Sequence, residues 1–360
     1  MTLLNRFSLK FLNKQKYFLH SIHKNFSNLT KIVDPDSSVS IKTDCNISIK
    51  PYDLLDCPDS NIIRATLIHN TNKEGKIADI KEKIGISVQD KNVRIEDIGD
   101  TKAKRDDFTC LLEIPIKADL NIESKSDIKI KDMYSDCLKA ITHFGSIITK
   151  NLRSTSIDLS AINGNIACKG LTLAQKIDVH VKEKGNIFLD KLQGDLLYCK
   201  AFNGNIEVNS SYVEKSNFSC EKGNLFLKNI HKTSEIFVLN YGNIEMSGIH
   251  GNVYINSKGG DLNLQFSEIT GDNIIVANKA KNVTINISDI VETNSYIELH
   301  SNKIELDPSA NHLSKYLTKE NYFEYGDKNK QNKLMICSGG LLKFGKMSWA
   351  DTVKSQMGLI

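Results

Sequence analysis

One short phrase recurs along the middle of the chain: glycine, asparagine or aspartate, an apolar residue, any residue, and a second apolar residue. Full copies begin at Gly164, Gly185, Gly194, Gly204, Gly223, Gly242, Gly251 and Gly260. A repeat at a nearly fixed spacing is the signature of a stacked architecture, so it constrains the fold more than any other signal. The phrase specifies a backbone geometry rather than a reaction.

The glycine spacing predicts stacked coils of about 19 residues. The glycines that fall in this register are Gly145, Gly164, Gly185, Gly204, Gly223, Gly242 and Gly260. Half-turn strands are predicted between them, over residues 157–159, 177–179, 196–198, 236–238, 253–255 and 274–276. Residues 283–285 and 297–299 keep the apolar alternation without the glycine. Each coil therefore contributes two short strands and two corners.

The phrase also predicts which side chains point inward. Neighbouring residues of a strand face opposite sides, so the second and fourth positions after each glycine face the core and the third faces solvent. The glycine is expected to supply backbone torsions that other residues avoid. The asparagine or aspartate is expected to bond its own backbone at the corner. A strand this short cannot bury its apolar face alone, so the coils must stack and be capped.

We therefore predict an all-β fold, a single-stranded parallel β-solenoid of about ten coils spanning residues 111–307. Residues 35–110 are predicted to form an N-terminal β cap, and residues 308–360 a C-terminal capping segment. In the latter, 312–333 is expected to be irregular and 334–337 to be a strand. Ser348 to Asp351 is similar to a helix capping box, and Trp349, Val353 and Met357 share one helical face, which predicts a short C-terminal helix. The alternative is a β-sandwich or barrel of short strands.

The first 33 residues differ from the rest of the chain. They contain no acidic residue and six basic ones, which are Arg6, Lys10, Lys14, Lys16, Lys24 and Lys31. Leu4, Phe7, Phe11, Phe18 and Ile22 share one helical face between these charges. This pattern is typical of a cleavable mitochondrial presequence, which we predict for residues 1–33. The alternatives are a basic tail on a cytosolic protein and a secretory signal, although basic residues and asparagines interrupt each apolar stretch.

Charge and cysteine content exclude several classes of function. The net charge of +4 arises in the leader, so the remainder lacks the basic footprint of a nucleic-acid-binding protein. The eight cysteines contain no Cys-x-x-Cys pair, which argues against a zinc site and a disulfide scaffold and suits a reducing compartment. Cys168 occupies an apolar position of the phrase and is expected to pack as a small hydrophobe. No segment has the length of apolar sequence that a membrane-spanning helix needs.

The stacked phrase resembles the family called "putative adhesin", a group of β-repeat domains without an established activity. More closely, the chain resembles the animal proteins called family with sequence similarity 185. That likeness is carried by residues 49–55, 191–194, 212–218 and 249–252, and by Ser348 with Trp349. The resemblance implies a β-solenoid, a mitochondrial address and a binding surface. It supplies no catalytic residue.

Two sets of outward residues are candidates for chemistry. Glu207 and Glu245 occupy the third position of the phrase two coils apart, a separation of about 9.6 Å. This lies near the upper limit for the two carboxylates of inverting glycosidases, about 9.5 Å, and Phe188 and Phe226 flank Glu207. Asp158 and Asp178 lie one coil apart on the other face. Ordinary solvated strand neighbours explain all of these residues equally well.

The polar residues after the glycines form a second candidate set, which comprises Asn165, Asn186, Asn205, Asn224, Asn243, Asn252 and Asp261. A calcium-binding roll would need paired glycines and more carboxylates, so an amide ladder that closes the corners is favoured. We predict no catalytic residue, cofactor-binding residue or metal ligand, and no cofactor. The predicted function is that of a non-catalytic, adhesin-like scaffold with an unknown protein partner. The alternative is a carbohydrate-active β-helix enzyme or glycan-binding protein that uses Glu207 and Glu245.

Overall fold

The computed structural model describes residues 28–53, 55, 58–69, 83–98 and 108–347. The strands in chain order are β1 (Asn28–Ile32), β2 (Ser38–Thr43), β3 (Asn46–Pro51), β4 (Ile62–His69), β5 (Ile84–Gln89), β6 (Asn92–Asp97), β7 (Phe108–Ile114), β8 (Asp119–Ser124), β9 (Ile128–Lys131), β10 (Tyr134–Thr142), β11 (Ile147–Asn163), β12 (Ile166–Lys184), β13 (Ile187–Asn203), β14 (Ile206–Lys222), β15 (Leu225–Tyr241), β16 (Ile244–Ser257), β17 (Leu262–Ile269), β18 (Asp272–Ala277), β19 (Asn282–Ile287), β20 (Ser295–His300), β21 (Lys303–Leu306), β22 (Leu317–Lys319), β23 (Tyr322–Tyr325), β24 (Asn332–Ser338) and β25 (Leu341–Lys346). Helix α1 spans Asp289–Asn294, and a 3-10 helix spans Pro308–Tyr316.

These strands form the predicted parallel β-solenoid. The Gly-Asn sheet stacks, in spatial order, β7, β3, β9, the first parts of β11 to β16, β17, β19, β25 and β21. The half-turn sheet stacks β6, β2, β8, β10, the last parts of β11 to β16, β18, β24 and β20. The middle segments of β11 to β16 join the two sheets and form a narrow face. The sheet is open and does not close into a barrel.

Each end of the solenoid contains a coil inserted out of chain order. At the N-terminal end, β2 lies between β6 and β8, and β3 lies between β7 and β9. At the C-terminal end, β24 lies between β18 and β20, and β25 lies between β19 and β21. Parts of the segments predicted as caps, 35–110 and 308–360, are therefore coils of the solenoid itself.

Antiparallel strands cover the two ends. At the N-terminal end, β5 pairs with β6, β4 with β7, and β1 with β4. At the C-terminal end, β23 pairs with β20, and β22 with β23. Covering a sheet edge in this way prevents the unpaired backbone from recruiting another chain. The expectation of irregular structure over 312–333 is wrong, because this stretch holds the end of the 3-10 helix, the β22–β23 hairpin and the start of β24. The sequence also predicts a loop over the polar, charged stretch 70–83, of which residues 70–82 lie outside the described residues, as does the predicted C-terminal helix.

The core is a set of apolar columns between the two sheets. The predicted inward positions are buried wherever the phrase follows Gly164, Gly185, Gly204, Gly223 and Gly242, and Cys168 is 1% exposed. The half-turn strand after Gly194 is shifted by one residue from the prediction, because Leu197 and Cys199 point inward in place of Leu196 and Tyr198. On the half-turn strand at 274–276, Asn273 and Ile275 point inward. A run of three apolar residues leaves the alternation ambiguous, and pairing with the neighbouring coils sets the register.

Candidate interaction surfaces

The Gly-Asn corner brings backbone segments of successive coils into close contact. A Cβ atom on Gly164, Gly185, Gly204, Gly223, Gly242 or Gly260 would overlap the carbonyl group of the preceding glycine in the stack. Gly223 also has a φ of +148°, a conformation that residues with side chains rarely adopt. The corner therefore requires glycine because a Cβ atom would not fit and, at Gly223, because of the positive backbone φ. Its row of glycines leaves a strip of surface without side chains.

The polar residue after each glycine bonds the next coil rather than its own backbone, which corrects the sequence prediction. The backbone N–H of Asn186 donates to Oδ1 of Asn165 at 2.8 Å, and the N–H of Asn205 donates to Oδ1 of Asn186 at 2.8 Å. The same bond recurs along one row made of Asn46, Asp127, Ser146, Asn165, Asn186, Asn205, Asn224, Asn243, Asp261 and Asn282. This row is called the amide ladder below. Asn252 lies outside it, because its Nδ2 donates to the carbonyl of Asp272 at the opposite corner, at 3.0 Å.

The third positions of the phrase form an outward column on the Gly-Asn sheet, as predicted. Ile148, Ala167, Phe188, Glu207, Phe226, Glu245 and Asn263 pair in that order on successive strands. Phe226 therefore lies directly between Glu207 and Glu245. These three residues, with Leu227, Lys228 and Ser247, line a depression of about 250 Å³. The structure thus brings the two candidate carboxylates to either side of one aromatic ring.

Asp158 and Asp178 are also adjacent, on the half-turn sheet. Each has a lysine beside it: the Lys139 ammonium lies 3.9 Å from the Asp158 carboxylate, and that of Lys176 lies 2.8 Å from Asp178. Tyr198 continues the same column, with its ring 5.9 Å from the Lys176 ammonium. Solvent-exposed pairs of this kind contribute little to stability, and this arrangement is a charged strand surface.

A stack of aromatic rings lies on the narrow face and is not among the features predicted from the sequence. The rings of Tyr212 and His231 lie 4.1 Å apart at an interplanar angle of 17°, and those of His231 and His250 lie 4.7 Å apart at 6°. The signal was present in the sequence, because these residues recur at the coil spacing. The glycine phrase defines outward positions on the two wide sheets only, so it does not indicate which residues face outward on the narrow face.

Both histidines of this stack resist protonation. Burial lowers the pKa of His231, and the neighbouring His250 and Lys232 lower it further. Burial also lowers the pKa of His250, although the Glu268 carboxylate in the next coil partly offsets that effect. The stacked pair is therefore held as neutral imidazole at a pH where an isolated histidine begins to charge.

Four of the seven thiols within the described residues pack in the core, whereas Cys137 and Cys337 are exposed and Cys45 is partly buried. Cys110, Cys168, Cys199 and Cys220 are buried, and burial raises the pKa of each, to about 11 for Cys168. The described part of the chain contains no group of three or more His, Cys, Asp or Glu residues placed to hold a metal ion. Within the same residues, no helix has the length and apolarity needed to cross a membrane.

Comparison with known proteins finds similar solved structures at low sequence identity. No family model matches the sequence. A "putative adhesin" from Parabacteroides distasonis is 9% identical with a TM-score of 0.41, and the alignment covers 89% of this chain and 96% of that one. A "putative adhesin" from Bacteroides fragilis is 13% identical with a TM-score of 0.35, covering 73% and 97%. A "putative adhesin" from Parabacteroides merdae is 12% identical with a TM-score of 0.29, covering 89% and 96%.

Proposed function

We propose that this protein is a non-catalytic interaction protein, an adhesin-like scaffold that presents outward columns of side chains to a partner. The supporting observation is that the outward column on the Gly-Asn sheet keeps one register from Ile148 to Asn263. A long surface of fixed spacing suits recognition of an extended partner, as in other solenoid proteins. We also propose that the chain is related to the animal proteins called family with sequence similarity 185, on the basis of the stretches named in the sequence analysis.

The test is a binding experiment on the intact surface. Cross-linking capture would compare the wild-type protein with a Phe188→Ser/Phe226→Ser variant whose circular dichroism matches that of the wild type. Both phenylalanines are partly exposed, so their loss should leave the core intact. We expect a discrete set of captured proteins that the variant no longer retains. Equal capture by the two proteins would argue against recognition through this column.

The depression at Phe226 supports a second candidate, glycan binding or hydrolysis. An aromatic ring between two carboxylates offers a stacking surface and acceptors for sugar hydroxyls, and Glu207 and Glu245 are placed in this way. Turnover of a neutral oligosaccharide that disappears in Glu207→Gln would establish hydrolysis. Binding without turnover, lost in Phe226→Ala, would establish a lectin-like site. Neither binding nor turnover by the wild type would remove this candidate.

We propose a mitochondrial location, supported by the basic, acid-free segment 1–33. Strand β1 begins at Asn28 and pairs with β4, so removal of all 33 residues would also remove a strand. The informative deletion is therefore 1–27. We expect a fluorescent fusion of the full chain to enter mitochondria and the 28–360 fusion to remain outside. Mitochondrial import of the shorter fusion would contradict the presequence.

A further inference from the structure

The amide ladder leaves an unused row of hydrogen-bond donors along the Gly-Asn corner. A backbone N–H can only donate, so the atom that faces it must be the carbonyl oxygen of the side-chain amide, and Nδ2 must point elsewhere. Within the described residues, no hydrogen bond uses Nδ2 of the interior ladder members, which are Asn165, Asn186, Asn205, Asn224 and Asn243. Each of these amides is at least partly exposed. The corner therefore presents one free NH2 group per coil, at a spacing of about 4.8 Å.

The residues that precede the glycines form the other wall of a groove. They are Phe144, Asn163, Lys184, Asn203, Lys222 and Tyr241, and most of them are exposed. A depression of about 490 Å³ follows this wall from Lys184 to Tyr241, with Gly185, Gly204 and Gly223 at its base. Because the base has no side chains, a chain-like ligand could approach the backbone closely.

The charge in this groove favours an anionic ligand. Neither the Lys184 nor the Lys222 ammonium is paired with a carboxylate in the described part of the chain, and the donor row adds only N–H groups. The nearby Glu183 carboxylate already accepts a hydrogen bond from Nδ2 of Asn163 at 2.6 Å. Two lysines are too few for the phosphate contacts that nucleic-acid binding requires. The groove suits a chain that carries carbonyl oxygens along its length and a small number of carboxylates.

The lysine spacing identifies the conformation of that chain. Lys184 and Lys222 lie two coils apart through Asn203, which corresponds to about 9.6 Å along the solenoid. A polyproline II helix has three residues per turn and a rise of about 3.1 Å, so its i and i+3 side chains share one face about 9.3 Å apart. Its carbonyl groups have no internal partner and can accept from amide donors, and such helices dock beside exposed aromatic rings. Tyr241, which is 66% exposed, provides such a ring at one end of the groove.

From these features we infer that the Gly-Asn corner binds an acidic peptide segment in the polyproline II conformation, with Asp or Glu at positions i and i+3. The carboxylates contact Lys184 and Lys222, and the peptide carbonyls accept from the asparagine Nδ2 groups. This inference rests on the proposed interaction role and specifies the chemistry of a partner. It uses a corner that is separate from the Glu207–Glu245 column.

The test measures binding of a fluorescein-labelled peptide of repeating Asp-Pro-Pro by fluorescence anisotropy. We expect binding that weakens as salt is raised, and affinity about tenfold or more lower for a neutral Asn-Pro-Pro repeat. A flexible Asp-Gly-Gly repeat should also bind more weakly, since it must lose more entropy. Equal affinity for the Asp-Pro-Pro and Asn-Pro-Pro repeats, or tighter binding of a galacturonate oligomer, would overturn the inference.

The ladder offers a matched pair of variants. Asn186→Asp/Asn205→Asp keeps an oxygen for each backbone N–H, as Asp127 and Asp261 already do in the same ladder, but replaces the outward donors with acceptors. We expect this variant to fold and to lose at least about tenfold in affinity. Lys184→Gln/Lys222→Gln should lose a similar amount, whereas Asn121→Asp, at an exposed position of β8 on the half-turn sheet, should bind as the wild type does. Wild-type affinity in both corner variants would overturn the inference, and the capture experiment at Phe188 and Phe226 would still decide the interaction role.

Discussion

At the scale of single residues, the corner glycines are the positions least tolerant of change. A Cβ on Gly204 would overlap the backbone carbonyl group of Gly185. Neither residue can move away, because the stacked strands hold the backbone of both. We expect Gly204→Ala to lower the free energy of unfolding by about 3 kcal/mol or more, as measured by urea denaturation. Gly85→Ala is the matched control, since its Cβ would meet only the movable side-chain end of Ile98. Similar losses in the two variants would contradict the close stacking of the corner.

The stacked histidines predict a dependence of stability on pH. Their folded-state pKa values lie below the ordinary histidine value of 6.5, so the unfolded chain binds protons first as the pH falls. The contribution of the two neutral imidazoles to the free energy of unfolding is fully present above about pH 6.5. It is lost as the pH falls through their lowered folded-state pKa values. The urea midpoint of the wild type should therefore drop between about pH 7.5 and pH 5. His231→Gln/His250→Gln should drop less, and parallel curves for the two proteins would refute the assignment.

The residue scale also shows where sequence reasoning reaches its limit. The alternation after Gly204 or Gly242 places each side chain correctly, because a glutamate separates the two apolar residues. At 196–198 and 274–276 every residue is apolar, so local sequence gives two equivalent registers. The neighbouring coils select between them, and pairing across coils is information that no single strand contains.

At the scale of elements, a buried asparagine ties the last regular coils to the inserted strand β24. Asn273 is fully buried and accepts from the backbone N–H of Val253 at 2.9 Å. Its Nδ2 lies within hydrogen-bond distance of the carbonyl oxygens of Thr270, Gly271 and Lys333. The polar side chain satisfies backbone groups at the point where β24 joins the stack.

Removing that side chain should be costly. Asn273→Ala leaves the buried Val253 N–H without its acceptor, and an unpaired buried donor costs about 1–3 kcal/mol. We expect a loss of this size in the free energy of unfolding, and faster hydrogen exchange at the Val253 amide. Asn121→Ala, at an exposed outward position of β8, is the control and should have little effect. An unchanged exchange rate at Val253 would show that the Asn273 side chain does not protect it.

At the scale of the whole molecule, both ends of the solenoid combine an inserted coil with an antiparallel cover. The repeat predicts the coils from β8 to β19, because each of them pairs with the next one in sequence. It does not predict the insertion of 38–51 or 332–346, since those strands pair with partners far away along the chain. Long-range pairing of this kind leaves no local periodicity in the sequence.

The C-terminal insertion should decide whether the solenoid remains a single, soluble unit. A chain ending at residue 331 lacks β24 and β25, so β18 and β19 each lose the partner strand on one side. Strands β20 and β21 then lose their attachment to the stack. We expect this truncation to aggregate, because it exposes two parallel sheet edges. A chain ending at residue 347 keeps both strands and separates their contribution from that of the predicted terminal helix. Light scattering and urea unfolding would compare the two chains, and a monomeric, cooperatively unfolding protein ending at residue 331 would show that the inserted coil is dispensable.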